Sequence, residues 1–148
     1  MTVNVLSDLR SAQQIMAATG SSLVAVSKSR VWQRAGQGIR PLYELLADER
    51  PNLEGAALAD KVIGSAAALL VLHAGITSVY AQVMSKRAQK LLLDNNVYVD
   101  CDLLVQQILN RSRTEPCPME IITADLWVPA QAYQVIGCKL DEWVRQQS

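Results

Sequence analysis

The chain predicts an α/β fold, a sheet with parallel strands and helices on both faces, and three observations lead to it. The first is the stretch Ala59 to Gly75, which opens with the polar pair Asp60-Lys61 and then runs apolar through Leu72, broken only by Gly64 and Ser65. It lacks the polar face that a surface helix repeats every 3.6 residues, so it reads as a central helix covered on most sides. The second is the alternation after Gly75 of β-branched runs with helical spacing, which requires crossovers between at least two parallel strands. The third is a hairpin signal upstream, where short apolar runs flank Ser27-Lys28-Ser29-Arg30.

Taken in order, Ser7 to Ala18 predicts a helix with Ser7 as its cap, Leu9, Ile15 and Met16 inward, and Gly20 as its end. Ser22 to Val26 and Val31 to Gln33 are the hairpin strands, and Gly36-Gln37-Gly38 is the turn that follows. A short helix starts at Arg40-Pro41, proline being tolerated in a first turn, and stops near Pro51. Leu53 to Leu58 reads as a buried strand feeding the central helix, which Asp60 caps and Gly75 terminates. Ile76 to Val83 is the next strand, and Ser85 caps a helix to about Asp94 through Ala88, Leu91 and Leu92. Val97-Tyr98-Val99 is a further strand, with Asp102 capping a helix from Leu103 to Leu109. Asn110 to Pro118 is a loop, and Met119 to Trp127 is ambiguous. Pro129 to Gln146 is the last helix, burying Val135 or Ile136, Leu140, Trp143 and Val144, with Gly137 weakening its middle by up to ~1 kcal/mol.

Length and composition set the function classes. The 148 residues fit one domain with a core, and half are apolar, which excludes disorder. Fourteen basic and fourteen acidic side chains leave no overall field to attract nucleic acid or an anionic membrane. The apolar run is shorter than the ~20 residues that span a bilayer, so no membrane partner is expected. Met1 to Ser7 lacks the charged and apolar blocks of a signal peptide, and the three cysteines are an odd number; both predict a cytoplasmic location. One histidine and no closely spaced cysteines predict no structural metal, and no cofactor is expected.

Two helix starts, Asp60-Lys61 and Met84-Ser85-Lys86, offer free amides and the positive end of a helix dipole to a phosphate or other anion, and Gly64 permits close approach. On the structural reading Asp60 and Ser85 are only caps and Gly64 a packing glycine. The loop from Asn110 to Glu120 brings guanidinium groups, an amide, a thiol and a carboxylate together between prolines. There Arg111 can clamp a carboxylate or phosphate, Glu120 can act as a base or hold a hydroxyl, and Cys117 is the one plausible nucleophile, or else an inert thiol. His73 falls near the far end of the central helix, so a Cys-His pair is not expected. Gly36-Gln37-Gly38 fails as a dinucleotide fingerprint because position 41 is proline. Cys101 and Cys138 read as core thiols.

Asp60-Lys61-Val62-Ile63-Gly64 with Ala66 to Leu70, then Val79-Tyr80-Ala81, Met84-Ser85 and Ala88, Ile108-Leu109-Asn110-Arg111, and Cys117-Pro118-Met119-Glu120 together resemble a small bacterial family, a domain of unknown function with a cytidine-deaminase-like fold. The likeness runs from about Ser22 to Glu120. It implies a three-layer α-β-α architecture around a mixed, mostly parallel sheet. A zinc-dependent deaminase carries His or Cys followed by Ala-Glu at its central helix and Pro-Cys-x-x-Cys at the next. The matching starts, Asp60-Lys61-Val62 and Met84-Ser85-Lys86, supply no such ligands, and Pro116 to Glu120 imitates the second motif one strand and one helix too late. The expectation is therefore a nucleotide-like or phosphorylated small-molecule ligand held by Lys61, Gly64, Ser85 and Arg111, with Asp60, Asn110 and Glu120 orienting it. The alternative is a non-catalytic module that forms a homodimer or docks a partner through its sheet edge or last helix, near Trp127, Tyr133 and Trp143.

Overall fold

In the computed structural model, which describes residues 2–147, one five-stranded mixed sheet carries helices on both faces, a three-layer α/β arrangement. Met1, where the stretch tested for a signal peptide begins, lies outside the described residues. Helix α1 (Thr2–Thr19) leads to the hairpin β1 (Leu23–Ser27) and β2 (Arg30–Arg34), then to α2 (Arg40–Glu49) and a single 3-10 turn over Arg50–Asn52. Strand β3 (Ala57–Ile63), α3 (Ser65–Ala74), β4 (Ser78–Ser85), α4 (Lys86–Asp94) and β5 (Tyr98–Val105) form two successive crossovers. The short α5 (Pro118–Thr123) and the long α6 (Pro129–Gln147) complete the chain. The strand order is β2-β1-β3-β4-β5, with β1 antiparallel to both β2 and β3, and β3, β4 and β5 parallel.

Helix α3 is the centre of one face. Its residues Ser65 to Val71 are all buried, because α2, α4, α5 and α6 pack around it over the sheet. Leu69, Leu70, Ile63, Met84, Leu92, Ile136 and Leu140 belong to one continuous core. Encirclement explains why no polar stripe exists on it: there is no direction in which a polar side chain would reach water. On the other face α1 lies alone across β1, β3 and β4, joining Leu9, Ala12 and Met16 to Val24, Val26, Ala57, Ala59 and Tyr80.

Several boundaries differ from the sequence expectation. The central helix begins at Ser65, five residues later than Asp60, and Asp60 and Lys61 are strand residues of β3. The reason is pairing: Asp60 faces Leu23 of β1 and Ala81 of β4, so tertiary hydrogen bonds hold the segment extended until Gly64. The helix expected over Leu103 to Leu109 is absent, because β5 continues to Val105 in register with Ser85, and Asp102 caps nothing. Ser7 lies inside α1 and is not its cap. Val144 is half-exposed and Cys138 is exposed on α6, so neither belongs to the core. Helix α5 starts at Pro118, the last residue of the expected loop, where a missing N–H costs nothing, and runs into the ambiguous stretch as far as Thr123. Among the described residues no helix is long and apolar enough to cross a membrane.

Candidate functional site

The chemistry expected at the helix starts is answered mostly by the chain itself. At α3 the N-cap position is Gly64, in an extended conformation with no side chain to cap with. The Glu120 carboxylate of α5 supplies the missing acceptor, taking the Ser65 N–H at 2.7 Å and the Ala66 N–H at 3.0 Å. A carboxylate suits this place because the first amides of a helix are unpaired and carry the positive end of its dipole. Gly64 makes the arrangement possible: a Cβ there would sit 2.5–2.8 Å from the Glu120 carboxyl atoms. At α4, Ser85 is the cap, its hydroxyl accepting the Ala88 N–H at 3.2 Å, and it is buried. Internal groups thus engage the Ser65 and Ala66 amides at α3 and the Ala88 amide at α4.

Beside the α3 start lies a groove of about 860 Å³, within the ~300–1,000 Å³ range of small-molecule sites. Seven of the eight residues singled out in the sequence line it: Asp60, Lys61, Gly64, Asn110, Arg111, Cys117 and Glu120. Ser85 does not. The parallel sheet explains the convergence, since the carboxyl end of β3 delivers Asp60 and Lys61 to the side where α3 begins. The loop after β5 then returns over that end, tied by the Leu109–Pro116 bridge and the Cys117 N–H to the Ile108 carbonyl at 2.9 Å. Asn110 organises this loop: its Oδ1 accepts the Thr114 N–H at 3.1 Å and the Ser112 hydroxyl at 3.3 Å. Arg111 is exposed at the groove, and Cys117 is half-buried at the N-cap of α5.

Asp60 is the electrostatic exception. Its Oδ1 accepts the Lys61 N–H at 2.7 Å, and no cation lies within ion-pair distance among the described residues. Desolvation pushes its pKa up to about 7, outweighing the backbone hydrogen bonds from Lys61 and Val62 and the attraction of the Lys61 ammonium. The carboxyl therefore changes charge near neutrality inside the groove.

Sequence reasoning assigns the rest of the lining to no ligand. Gly36-Gln37-Gly38 and Arg40 form one wall, where Gly36 and Gly38 turn with φ of 140° and 66°. Ile39, Met119, Leu140 and Trp143 make apolar surfaces. The glycine pair followed by Arg40-Pro41 was the available signal, a tight turn delivering a guanidinium at a helix start. The place of Trp143 in the groove wall has no sequence signal, because it depends on how α6 crosses α3. Of the aromatics assigned to a docking face, Tyr133 instead stacks on Tyr43 and tilts against His73, while Trp127 is exposed beneath the Arg87 guanidinium. His73 is held apart from Cys117, hydrogen-bonded to Arg50 at 2.9 Å. Burial and the Arg50 charge lower its pKa.

Comparison with known proteins agrees with this architecture. The structure is similar to a solved DUF1893 family protein (TM1506) from Thermotoga maritima, with 28% identity, 90% of each chain covered and a TM-score of 0.82. No curated protein matches the chain. A model of the TM1506 domain of unknown function (DUF1893) matches residues 11–140, so the hairpin, both crossovers and the groove apart from its Trp143 and Gln147 lie inside the match, and the chain belongs to that family.

Proposed function

We propose that the groove binds a nucleotide-like or otherwise phosphorylated small molecule. The observation that carries this reading is one cleft in which Arg40, Lys61 and Arg111 stand at walls shared with apolar surfaces and Trp143. Lys61 and Arg111 make no ion pair within 4 Å among the described residues, so they are available to an anion. A planar ring suits the apolar part, and a phosphate suits the cationic part. Because Glu120 occupies the α3 amides, the phosphate contacts fall to side chains, not to the helix start. Cys117 is the thiol of the groove and the candidate nucleophile for any reaction there. We also read the three-layer architecture as cytidine-deaminase-like, supported by the central helix behind the parallel strands, and place the protein in the cytoplasm, supported by its three free cysteines. Calorimetry against a panel of nucleotides and ADP-ribose compounds tests the ligand. Binding should quench Trp143 fluorescence, and no heat and no quenching at millimolar ligand would refute the reading.

A second reading is self-association through β5. Its outer edge is unpaired within the sheet, and Tyr98, Leu103 and Leu104 on it are exposed. Light scattering that gives a monomer mass at every concentration would exclude it.

A further inference from the structure

We propose that Asp60 is the specificity-determining residue of this groove, reading the hydrogen-bond donor edge of a base such as guanine, which offers two adjacent N–H groups, while the phosphate lies against the cations. The inference rests on the nucleotide reading above and deepens it. An ionised carboxylate only accepts hydrogen bonds, at about four lone-pair sites. The backbone N–H groups of Lys61 and Val62 engage part of that capacity in Asp60, and no side-chain donor meets the rest among the described residues. The free acceptor sites open into the groove, since Ser78 Oγ is the buried side-chain atom without a partner among the described residues, so a ligand that brings N–H donors to this point meets acceptors that the protein leaves to solvent.

The other charged and titratable groups of the groove fix the direction of binding. Arg40, Lys61 and Arg111 attract a phosphate, and Asp60 repels one, so the phosphate and the donor edge must lie at different places. Glu120 is the weaker competitor for the donors, because each of its oxygens already accepts an α3 amide, whereas the Lys61 N–H falls on Oδ1 of Asp60. Cys117 is too weak an acceptor to read a base edge. Trp143, Leu140 and Ile39 provide the apolar surfaces that a purine ring would cover.

The test is calorimetric titration of the full chain with guanosine monophosphate and inosine monophosphate at pH 6, 7 and 8, repeated with Asp60→Asn. The two ligands share phosphate, sugar and ring N–H and differ in the 2-amino donor, so their affinity ratio cancels the titration of the phosphate. Guanosine monophosphate should bind about 10- to 100-fold more tightly at pH 8, the range expected for a hydrogen bond to a charged acceptor. The ratio should shrink at pH 6, where Asp60 is protonated, and vanish in Asp60→Asn. Equal affinities in the wild type, a ratio unaffected by pH, or a preference that survives in Asp60→Asn would overturn the inference while leaving the groove as a nucleotide site. Absence of binding by any nucleotide would overturn both. The wild-type ratio and its pH dependence decide the matter even where the variant does not fold.

Discussion

Asp60 and Glu120 are two carboxylates beside the same helix start, and their surroundings give them different work. Glu120 receives two backbone N–H groups and fastens α5 to α3. Asp60 is desolvated with only partial compensation from the backbone N–H groups of Lys61 and Val62 and the Lys61 charge, and this has a cost in stability that depends on pH. Its folded pKa of about 7 lies above the unfolded value of 3.8, so between those values the folded state binds more protons and stability falls as pH rises. Three pKa units set a ceiling of about 4 kcal/mol, and partial solvation makes about 1–3 kcal/mol the expected size. Asp60→Asn should therefore melt higher than wild type at pH 8 and show a flatter stability profile from pH 4 to 8. Denaturant unfolding at several pH values checks it, and a variant less stable than wild type at pH 8 would contradict it. Glu120→Ala should cost about 1–3 kcal/mol by leaving the α3 amides unpaired. Gly64→Ala should cost a similar amount by expelling the same carboxylate. In the double variant the penalties should not add, since the alanine meets no carboxylate once Glu120 is gone. Additive penalties in a double-mutant cycle would show that Gly64 serves another purpose.

At the scale of elements, the helices divide into those the sequence outlines and those the packing decides. The capped and strongly amphipathic α4 follows its apolar spacing, with Ala88, Leu91 and Leu92 buried as expected. Helix α3 has no such stripe, and Asp60, which reads from the sequence as its cap, lies in a strand; pairing on both edges, not propensity, keeps Ala57 to Ile63 extended. Gly137 shows the same limit. In isolation it looks like a weak point of α6, yet the Tyr43 ring packs directly against its Cα, where a Cβ would collide. Gly137→Ala should thus destabilise by about 1–3 kcal/mol through overpacking, although helix propensity alone predicts a gain of up to about 1 kcal/mol. A raised melting temperature would show that the Tyr43–Tyr133 stack can shift at little cost.

Across the whole molecule, protection is arranged by position in the sheet. Strands β3 and β4 are flanked by neighbours on both edges and covered by α3 on one face and α1 on the other, whereas β2 and β5 are edges. Amide exchange should be slowest in β3, β4 and α3 and faster in β2 and β5, with the loop carrying Asn110 and Arg111 faster still. Protection of β5 equal to that of β4 in the protein alone would instead indicate that its edge is covered by a second copy. Ligand binding in the groove should slow exchange in the Asn110–Cys117 loop without altering the Tyr80–Asp102 hydrogen bond on the opposite face.

Local chemistry made the α/β class, the hairpin and the two crossovers legible from the chain alone, because turn residues, caps and apolar spacing act within a few positions of where they stand; seven groove residues were named from it too, although Asp60 and Lys61 stand in a strand and not at the helix start that singled them out. The partnership of Glu120 with an α3 start 55 residues earlier, the desolvation of Asp60, the approach of Trp143 and the extension of β5 to Val105 all depend on segments distant in sequence. Such features follow from which surfaces meet when the core closes, and hydrogen-bond pairing and burial at those meetings outweigh the local preferences that a sequence displays.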